Sequence, residues 1–536
     1  MKSRMFHLSA FVAAAVVTGA IAAMVQTQIN LAELAGLGAP VTASVRGLTT
    51  LEDLARFGLV MVGIALSALA PALFAGQRLA RALPAAWRAA VLAGASVVGL
   101  WVAFWLMRSV IPMPAIPGTR FALGHALMAL TGIAGGLVYA CLSAPARQSK
   151  QGEPWRHAAV AAALLLVPAL LFFSMAPAAD DKPAHVDPGT YRVQTVATGL
   201  NRPWSIAFLP DGRALVTEMG GRLRAIAANG ASSEIALEGL PPLFREGSVA
   251  GLMEVALDPE FARNGWIYLT LAHGNAGANG TRLVRARLVG DRIEQVRVLF
   301  SSTPKPRAGN NGGRMAFLGD GTLVLSVGDG SARREEAQNP ANHLGKVIRL
   351  DREGRVPADN PFVRQPGAAP EIYSLGHRNA QGMAVDPATG ALLMSEHGAR
   401  GGDEINRVTA GGNYGWPVVT AGIDYPFARV TPFRRLEGYQ DALLEWTPSI
   451  APAGLAVYDG ALFPGWRGDL LVPALKERAL RRVLRDGERI VGQQLLLTEL
   501  NERLRDVKVA PDGAIHVLTD GLDAKLLRIT PRQRGG

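Results

Sequence analysis

The sequence predicts an all-β six-bladed β-propeller preceded by an α-helical membrane domain of about five transmembrane helices. Charged residues are sparse up to Met175 and frequent beyond it, so the two regions face different solvents. The first region holds five apolar stretches, each near the roughly 20 residues that a hydrocarbon core requires. The second repeats a hydrophobic–turn–hydrophobic phrase at spacings of roughly 40–80 residues, a blade period stretched by insertions. At 536 residues the chain exceeds one ordinary domain. The expected division is a membrane domain over 1–176, a linker over 177–190 and a propeller over 191–536.

The apolar stretches cover residues 6–25, 57–76, 86–107, 121–142 and 158–176. Lys2 and Arg4 before the first suggest a signal peptide, but four further spans behind it favour an uncleaved anchor. Basic residues concentrate at the N-terminus (Lys2, Arg4), in the second loop (Arg78, Arg81, Arg88) and in the fourth (Arg147, Lys150, Arg156). The positive-inside rule then puts the N-terminus in the cytoplasm and, after an odd number of spans, the second region on the other side. In a bacterium this is a multi-pass inner-membrane protein with its propeller on the periplasmic face.

The net charge of +11 lies partly in those short loops, and the remaining arginines form no basic stripe with interleaved aromatics. Nucleic acid is therefore not an expected partner. Cys141 is the only cysteine, which excludes an intramolecular disulfide. His125 lies within the fourth span with no second ligand in register, so haem is not expected there.

In the second region the phrase runs through Ile206 to Thr217 around Asp211-Gly212. It returns at Val255 to Leu271, Met315 to Val327, Met383 to Ser395 and Val507 to Thr519, with a weaker copy at Ala456 to Ala474. Asp, Pro and Gly supply the turns, and β-branched and aromatic residues supply the strands. Function is expected in the loops around the central channel. The densest of these is 376–417, where a hairpin over 382–395 is flanked by Gly-rich loops. They carry Arg378, Asn379, Glu396, His397, Arg400, Asp403 and Glu404.

Several phrases occur in order: Gly376-His377-Arg378-Asn379, Glu396-His397-Gly398, Arg400-Gly401-Gly402-Asp403-Glu404-Ile405-Asn406, Asn413-Tyr414-Gly415-Trp416-Pro417, Ala474-Leu475-Lys476 and Arg503-Leu504-Arg505-Asp506-Val507. With them the chain from Tyr191 to Thr530 resembles the soluble aldose sugar dehydrogenases (glucose/sorbosone dehydrogenases). These are six-bladed propellers that use pyrroloquinoline quinone (PQQ) and calcium. The resemblance implies that Arg378, Asn379, Lys476, Arg503 and Arg505 contact the cofactor, with Ser449 at a further polar position. It implies that the carbonyls of Gly398 and Ala399 serve the cofactor calcium, and that Glu404 and Tyr414 serve a second, structural calcium. The chemistry is consistent, because a planar tricarboxylate calls for several cations and a hard cation for many oxygens.

The chain departs from the family where its members carry a catalytic histidine. The segment reads Ala308-Gly309-Asn310-Asn311-Gly312-Gly313-Arg314, with Asn311 nearest that position, and an amide is no general base near neutral pH. Val249 or Ser248 stands where the family has a glutamine. Another base (His343, Asp329 or His273), a different substrate, or a propeller that binds without turnover would each account for this. The expected function is a membrane-anchored quinoprotein oxidising an aldose or related alcohol, with membrane quinone as electron acceptor. The alternatives are a degenerate sugar-binding propeller and a calcium-dependent lactonase-like hydrolase.

Overall fold

The structure is a computed structural model that describes residues 2–110, 116–144, 183–247, 249–425 and 427–532. It divides into two compact units, Met1–Asp180 with Ile423–Pro432, and the rest of the chain.

In the first unit the helices are α1 (Lys2–Gly36), α2 (Ala43–Arg56), α3 (Gly58–Arg81), α4 (Arg88–Val110), α5 (Ala122–Leu130) and α6 (Gly132–Leu142). Four stretches among the described residues are long and apolar enough to cross a membrane: His7–Gly36, Gly58–Arg81, Ala85–Val110 and Ala122–Leu142. The fifth expected span, 158–176, lies outside the described residues. Helix α1 runs past its expected end at Val25 because the polar residues there find partners. Gln26 Oε1 accepts from Gly118 N at 2.6 Å, and Thr27 Oγ1 donates to Asp53 Oδ2 at 2.9 Å. Close approach through small residues holds the bundle together. A Cβ at Gly136 would lie 2.5 Å from Ala93 Cα, so α6 and α4 touch backbone to backbone. Trp101, Trp105 and Leu123 stay exposed, an outward surface suited to hydrocarbon. His125 is buried against Trp101 and Phe104, with its Nε2 3.3 Å from Trp101 O. In the same unit Asn30 Nδ2 donates to Val430 O at 2.8 Å, and Asp53 Oδ1 accepts from Arg429 N at 3.1 Å.

The second unit is a six-bladed propeller of six antiparallel sheets, and the repeated phrase forms the first hairpin of every blade. The inner strands are Pro203–Phe208, Leu252–Leu257, Gly312–Phe317, Ala380–Val385, Ala456–Val457 and Leu504–Val509. Tyr191–Leu200 forms the outermost strand of the blade whose other three strands are the last in the chain, and it pairs with Ala524–Pro531. That pairing closes the ring. Ala184–His185, within the expected linker, adds a parallel fifth strand to the blade before it. Apolar clusters between adjacent blades form the core, for example Leu215, Leu269 and Val284 between the first two.

Polarity reverses on the channel axis. Arg314, 2 % exposed along its side chain, bonds Glu254 Oε2 and Asp506 Oδ1, both at 3.0 Å. Its Nε donates to Gln381 O at 2.6 Å, and its guanidinium lies 4.0 Å from the centre of the Trp204 ring. One side chain thus binds the inner strands of four other blades.

Candidate active site

The inner strands all run in one sense along the channel, so the phrase turns lie at one end and the strand entries at the other. At the turn end is a cavity of about 650 Å³ lined by Glu254, Lys508, Asp459 and Asp512. The expected site residues gather at the entry end. Arg378 and Asn379 precede one inner strand, Asn311 another, and Arg503 and Arg505 flank the start of a third. Lys476 sits on the turn between Leu470–Ala474 and Ala479–Asp486.

Polar contacts tie these residues into one floor. Arg505 is 6 % exposed. Its Nε and Nη2 donate to Asp520 Oδ1 at 3.2 and 3.1 Å, and its Nη1 reaches Gln381 Oε1 at 3.5 Å. Gln381 Nε2 donates to Asn379 Oδ1 at 3.3 Å, and the same oxygen accepts from Gly312 N at 3.2 Å. Arg503 bonds Asp520 Oδ2 at 2.9 Å and Leu475 O at 3.3 Å, beside the exposed Lys476. Asp520 is thus one carboxylate shared by two guanidiniums. Burial opposes its charge, but the arginines outweigh this and hold its carboxyl below the usual range. Burial likewise draws Arg505 below the ordinary arginine range despite Asp520.

Arg378 donates from its backbone N to Glu396 Oε2 at 2.7 Å. Its Nη1 donates to the carbonyls of His397 and Gly398, and its guanidinium lies 5.4 Å from the centre of the Trp416 ring. Trp416 Nε1 in turn donates to Asp329 Oδ2 at 2.8 Å. The turn bearing Gly398 and Ala399 is fixed by Asp403, whose Oδ1 accepts from Gly398 N at 2.8 Å. Its Oδ2 accepts from Ser449 Oγ at 2.7 Å and from the backbone N of Ile450 and Ala451, each at 2.8 Å. Ser449 is therefore committed to Asp403. Glycine is obligatory at 398, where a Cβ would fall 2.1 Å from Gly401 O.

Glu404 lies between Glu396 and Glu445 on neighbouring strands. Burial, then the Glu396 charge, pushes its carboxyl well above the usual range. Burial also raises Glu396, but His377, Arg378 N and Asn406 outweigh it and hold this carboxyl low. Tyr414 uses its hydroxyl within its own loop, donating to Arg407 O at 2.5 Å and accepting from Thr409 N at 2.9 Å. His377 joins Ser374 Oγ at 2.8 Å to Glu396 Oε1 at 3.1 Å, but Ser374 is fully buried, so the relay has no reachable nucleophile. No group of three or more His, Cys, Asp or Glu side chains forms a metal centre among the described residues.

Around the missing base, two of the three substitutes are engaged. His343 Nδ1 accepts from Thr303 N at 3.1 Å, and Nε2 lies 3.4 Å from Glu371 Oε2. Asp329 Oδ1 accepts from Asn310 Nδ2 and Ser331 N at 2.8 and 2.7 Å, and Oδ2 is taken by Trp416. His273 keeps a buried Nε2 without a partner. Burial, then Arg282, lowers its basicity. Lys305, drawn down by burial to about 8, donates inward to Asn279 Oδ1 at 2.8 Å and Arg307 O at 3.1 Å.

His397 and His516 give the fold a pH dependence. Burial, reinforced for His397 by Arg378 and Arg505 and for His516 by Arg528, lowers both to about 4. Between pH 6.5 and 4 the unfolded chain then binds protons that the native one refuses, so stability falls as pH drops through that window. Each histidine is expected to contribute on the order of 3 kcal/mol at full titration, offset in part by Glu404, whose raised pKa acts in the opposite sense. Thermal unfolding followed between pH 4 and 7 in wild type and a His516→Phe variant checks this. An unchanged pH slope in the variant would contradict it.

The site is a cluster of arginines at the strand-entry end of a six-bladed propeller. The sequence model of the glucose/sorbosone dehydrogenase family matches residues 200–528, and the chain belongs to that family. It is 38 % identical to aldose sugar dehydrogenase YliI of Escherichia coli over 352 residues, covering 64 % of this chain and 94 % of the relative. The crystal structure of soluble aldose sugar dehydrogenase from Escherichia coli in its apo form aligns with a TM-score of 0.62 at 37 % identity, covering 64 % of this chain and all of the other. The PQQ-bound aldose sugar dehydrogenase of Streptomyces coelicolor aligns with a TM-score of 0.52 at 28 % identity, covering 66 % and 100 %.

Proposed function

We propose that the protein is a membrane-anchored quinoprotein that oxidises an aldose sugar or related alcohol with PQQ and calcium. Its propeller then lies on the outer face of a bacterial inner membrane, and membrane quinone takes the electrons. One observation carries the cofactor reading. Arg503 and the buried Arg505 share the single carboxylate of Asp520, so the floor holds more positive than negative charge and fits a polycarboxylate. The likeness to a PQQ-bound relative supports the same ligand.

When bound, PQQ supplies a two-electron acceptor, and calcium supplies a Lewis acid. In this reading Arg503, Arg505 and Lys476 bind and orient carboxylates, and Asn379 holds the floor through Gln381 and Gly312. Arg378 also donates to the Gly398 carbonyl, one of the two that would serve a cation. Glu404 fits a second cation because its buried carboxyl lacks a positive partner among neighbouring glutamates. With its hydroxyl engaged, Tyr414 contributes its carbonyl.

Full-length protein in detergent, mixed with PQQ and Ca²⁺, is expected to bind the cofactor by calorimetry and to reduce a dye with at least one aldose. Failure to bind PQQ would sink this reading. Turnover-free binding would favour a second reading, a degenerate sugar binder, to which the amide at Asn311 also points. Calcium adds its own test. A cation at Glu404 must displace a proton held to unusually high pH, so Ca²⁺ affinity should rise about tenfold per pH unit below that carboxyl's pKa. Ca²⁺ should therefore raise the unfolding temperature more at pH 8 than at pH 5, and Glu404→Gln should abolish the difference. A shift independent of pH would remove Glu404 from the site.

A further inference from the structure

We propose that the cavity at the turn end of the channel is a second, non-catalytic binding site for a neutral polyhydroxylated molecule of the size of a mono- or disaccharide. It goes beyond the dehydrogenase reading and does not depend on the cofactor.

At about 650 Å³ the cavity has the size of a small-molecule pocket. Five blades meet there, through Phe208, Leu257, Met315, Asp459 and Val509. Each inner strand is a sheet edge turned to the axis, and its register decides which groups it shows. Leu209 N donates to Arg213 O, Asp258 N to Trp266 O and Ala510 N to Ala514 O, at 2.8, 3.0 and 2.8 Å. Bonded and non-bonded pairs alternate along an antiparallel ladder. The preceding pairs, Phe208 with Ala214, Leu257 with Ile267 and Val509 with Ile515, are therefore non-bonded. The amides and carbonyls of Phe208, Leu257 and Val509 thus face the channel. Ile206, two residues deeper, faces it too, and its N donates to Asp506 Oδ2 at 2.9 Å. The three amides nearer the mouth have no such partner among the described residues.

Lys508 adds a side chain in the same condition. Its ammonium stands 3.8 Å from Glu254 Oε1, beyond hydrogen-bond reach, and donates to nothing else among the described residues. One hydroxyl between them would accept from the lysine and donate to the glutamate.

Charge decides the class of ligand. Arg314 and Lys508 together balance Glu254 and Asp506, Arg528 balances Asp512, and the exposed rim residues Asp459 and Arg467 are opposite in sign. The cavity therefore offers donors and acceptors without the net charge that would draw an ion. Hydroxyl groups, each donor and acceptor at once, match that surface. No residue of the cofactor floor lines the cavity. Arg314 stands between the two, meeting Glu254 on one side and the carbonyls of Gln381 and Arg505 on the other.

The test uses full-length protein without PQQ, in a detergent that has no sugar headgroup. Trehalose is the probe, because a non-reducing disaccharide has no anomeric hydroxyl for the oxidation proposed above. On saturation with trehalose, amide hydrogen exchange should slow about threefold or more within 206–209, 255–257 and 507–513. By saturation-transfer NMR, Lys508→Met is expected to weaken trehalose binding about tenfold, as loss of one charged donor implies. Ala461→Trp, which crowds the mouth from an exposed lining position, should abolish it. Lys508→Gln keeps a donor, should bind within about threefold of wild type, and guards against misfolding of the methionine variant. Exchange unchanged by trehalose, or slowed only at the entry-end segment 308–313, would overturn the proposal. So would protection by inorganic phosphate in place of trehalose, or trehalose binding that either Lys508→Met or Ala461→Trp leaves intact. Because nothing here is read through PQQ, its failure to bind would sink the dehydrogenase reading alone, and a failure of trehalose would leave that reading standing.

Discussion

Replacing Arg314 with methionine is expected to lower the stability of the propeller by about 3–5 kcal/mol, the range for breaking a buried ion pair by removing one partner. The side chain carries two ion pairs, to Glu254 and Asp506, each 2 % exposed or less. Methionine fills much of the volume but leaves Asp506 without a cation and Glu254 with only Lys508. Lys508, 3.8 Å from Glu254 and about a third exposed, compensates only in part, because water screens its charge. The Gln381 carbonyl and the Trp204 face also lose their partner. Tryptophan fluorescence during denaturant unfolding measures the loss. A triple variant, Arg314→Met with Glu254→Gln and Asp506→Asn, should recover a substantial part of it, because neutral amides cost less to bury than unpaired carboxylates. A loss under 1 kcal/mol in the single variant would show that the hub does not hold the blades together.

Arg314 also shows where sequence reading stops. Asp211-Gly212 or Gly319-Asp320-Gly321 announces a hairpin because the turn depends on a few adjacent residues, and six such phrases sufficed for the propeller. Arg314 stands two residues past a strand entry, and its meaning comes from residues as distant in sequence as Trp204 and Asp506. Ring closure by Tyr191–Leu200 was hidden for the same reason. At the site, the ordered motifs around Arg378 and Arg503 were legible as a set. The roles of Asp520, which pairs both arginines, and of Asp403, which pins the Gly398 turn, were not. Each is one acid among many until the fold supplies its partners. Helix α1 gave the converse lesson: polar Gln26 and Thr27 read as an end of a span, yet partners within the helical unit carry the helix to Gly36.

Arg505→Gln is expected to weaken PQQ binding about 10–100-fold, as lost charge-assisted hydrogen bonds of roughly 1.5–3 kcal/mol imply. Arg505 is nearly sealed from water, so its charge acts in a medium that screens little, and Asp520 engages only its Nε and Nη2. Arg503 makes the same salt bridge with 45 % of its side chain exposed. Arg503→Gln should therefore cost less, and its contribution should fade with added salt while that of Arg505 persists. Asp520→Asn separates attraction from positioning. Removing the acid frees two guanidiniums for the ligand but also releases the contacts that aim them. If net charge dominates, affinity rises; if orientation dominates, it falls. Because Arg505 also leans on Gln381 from the inner strand two blades away, it keeps one support when Asp520 is lost, and Arg503 keeps Leu475 O. The expected result is thus a modest gain in affinity for Asp520→Asn at low salt, read by calorimetry. Equal losses for Arg503→Gln and Arg505→Gln at all salt concentrations would mean that burial does not set the strength of this site.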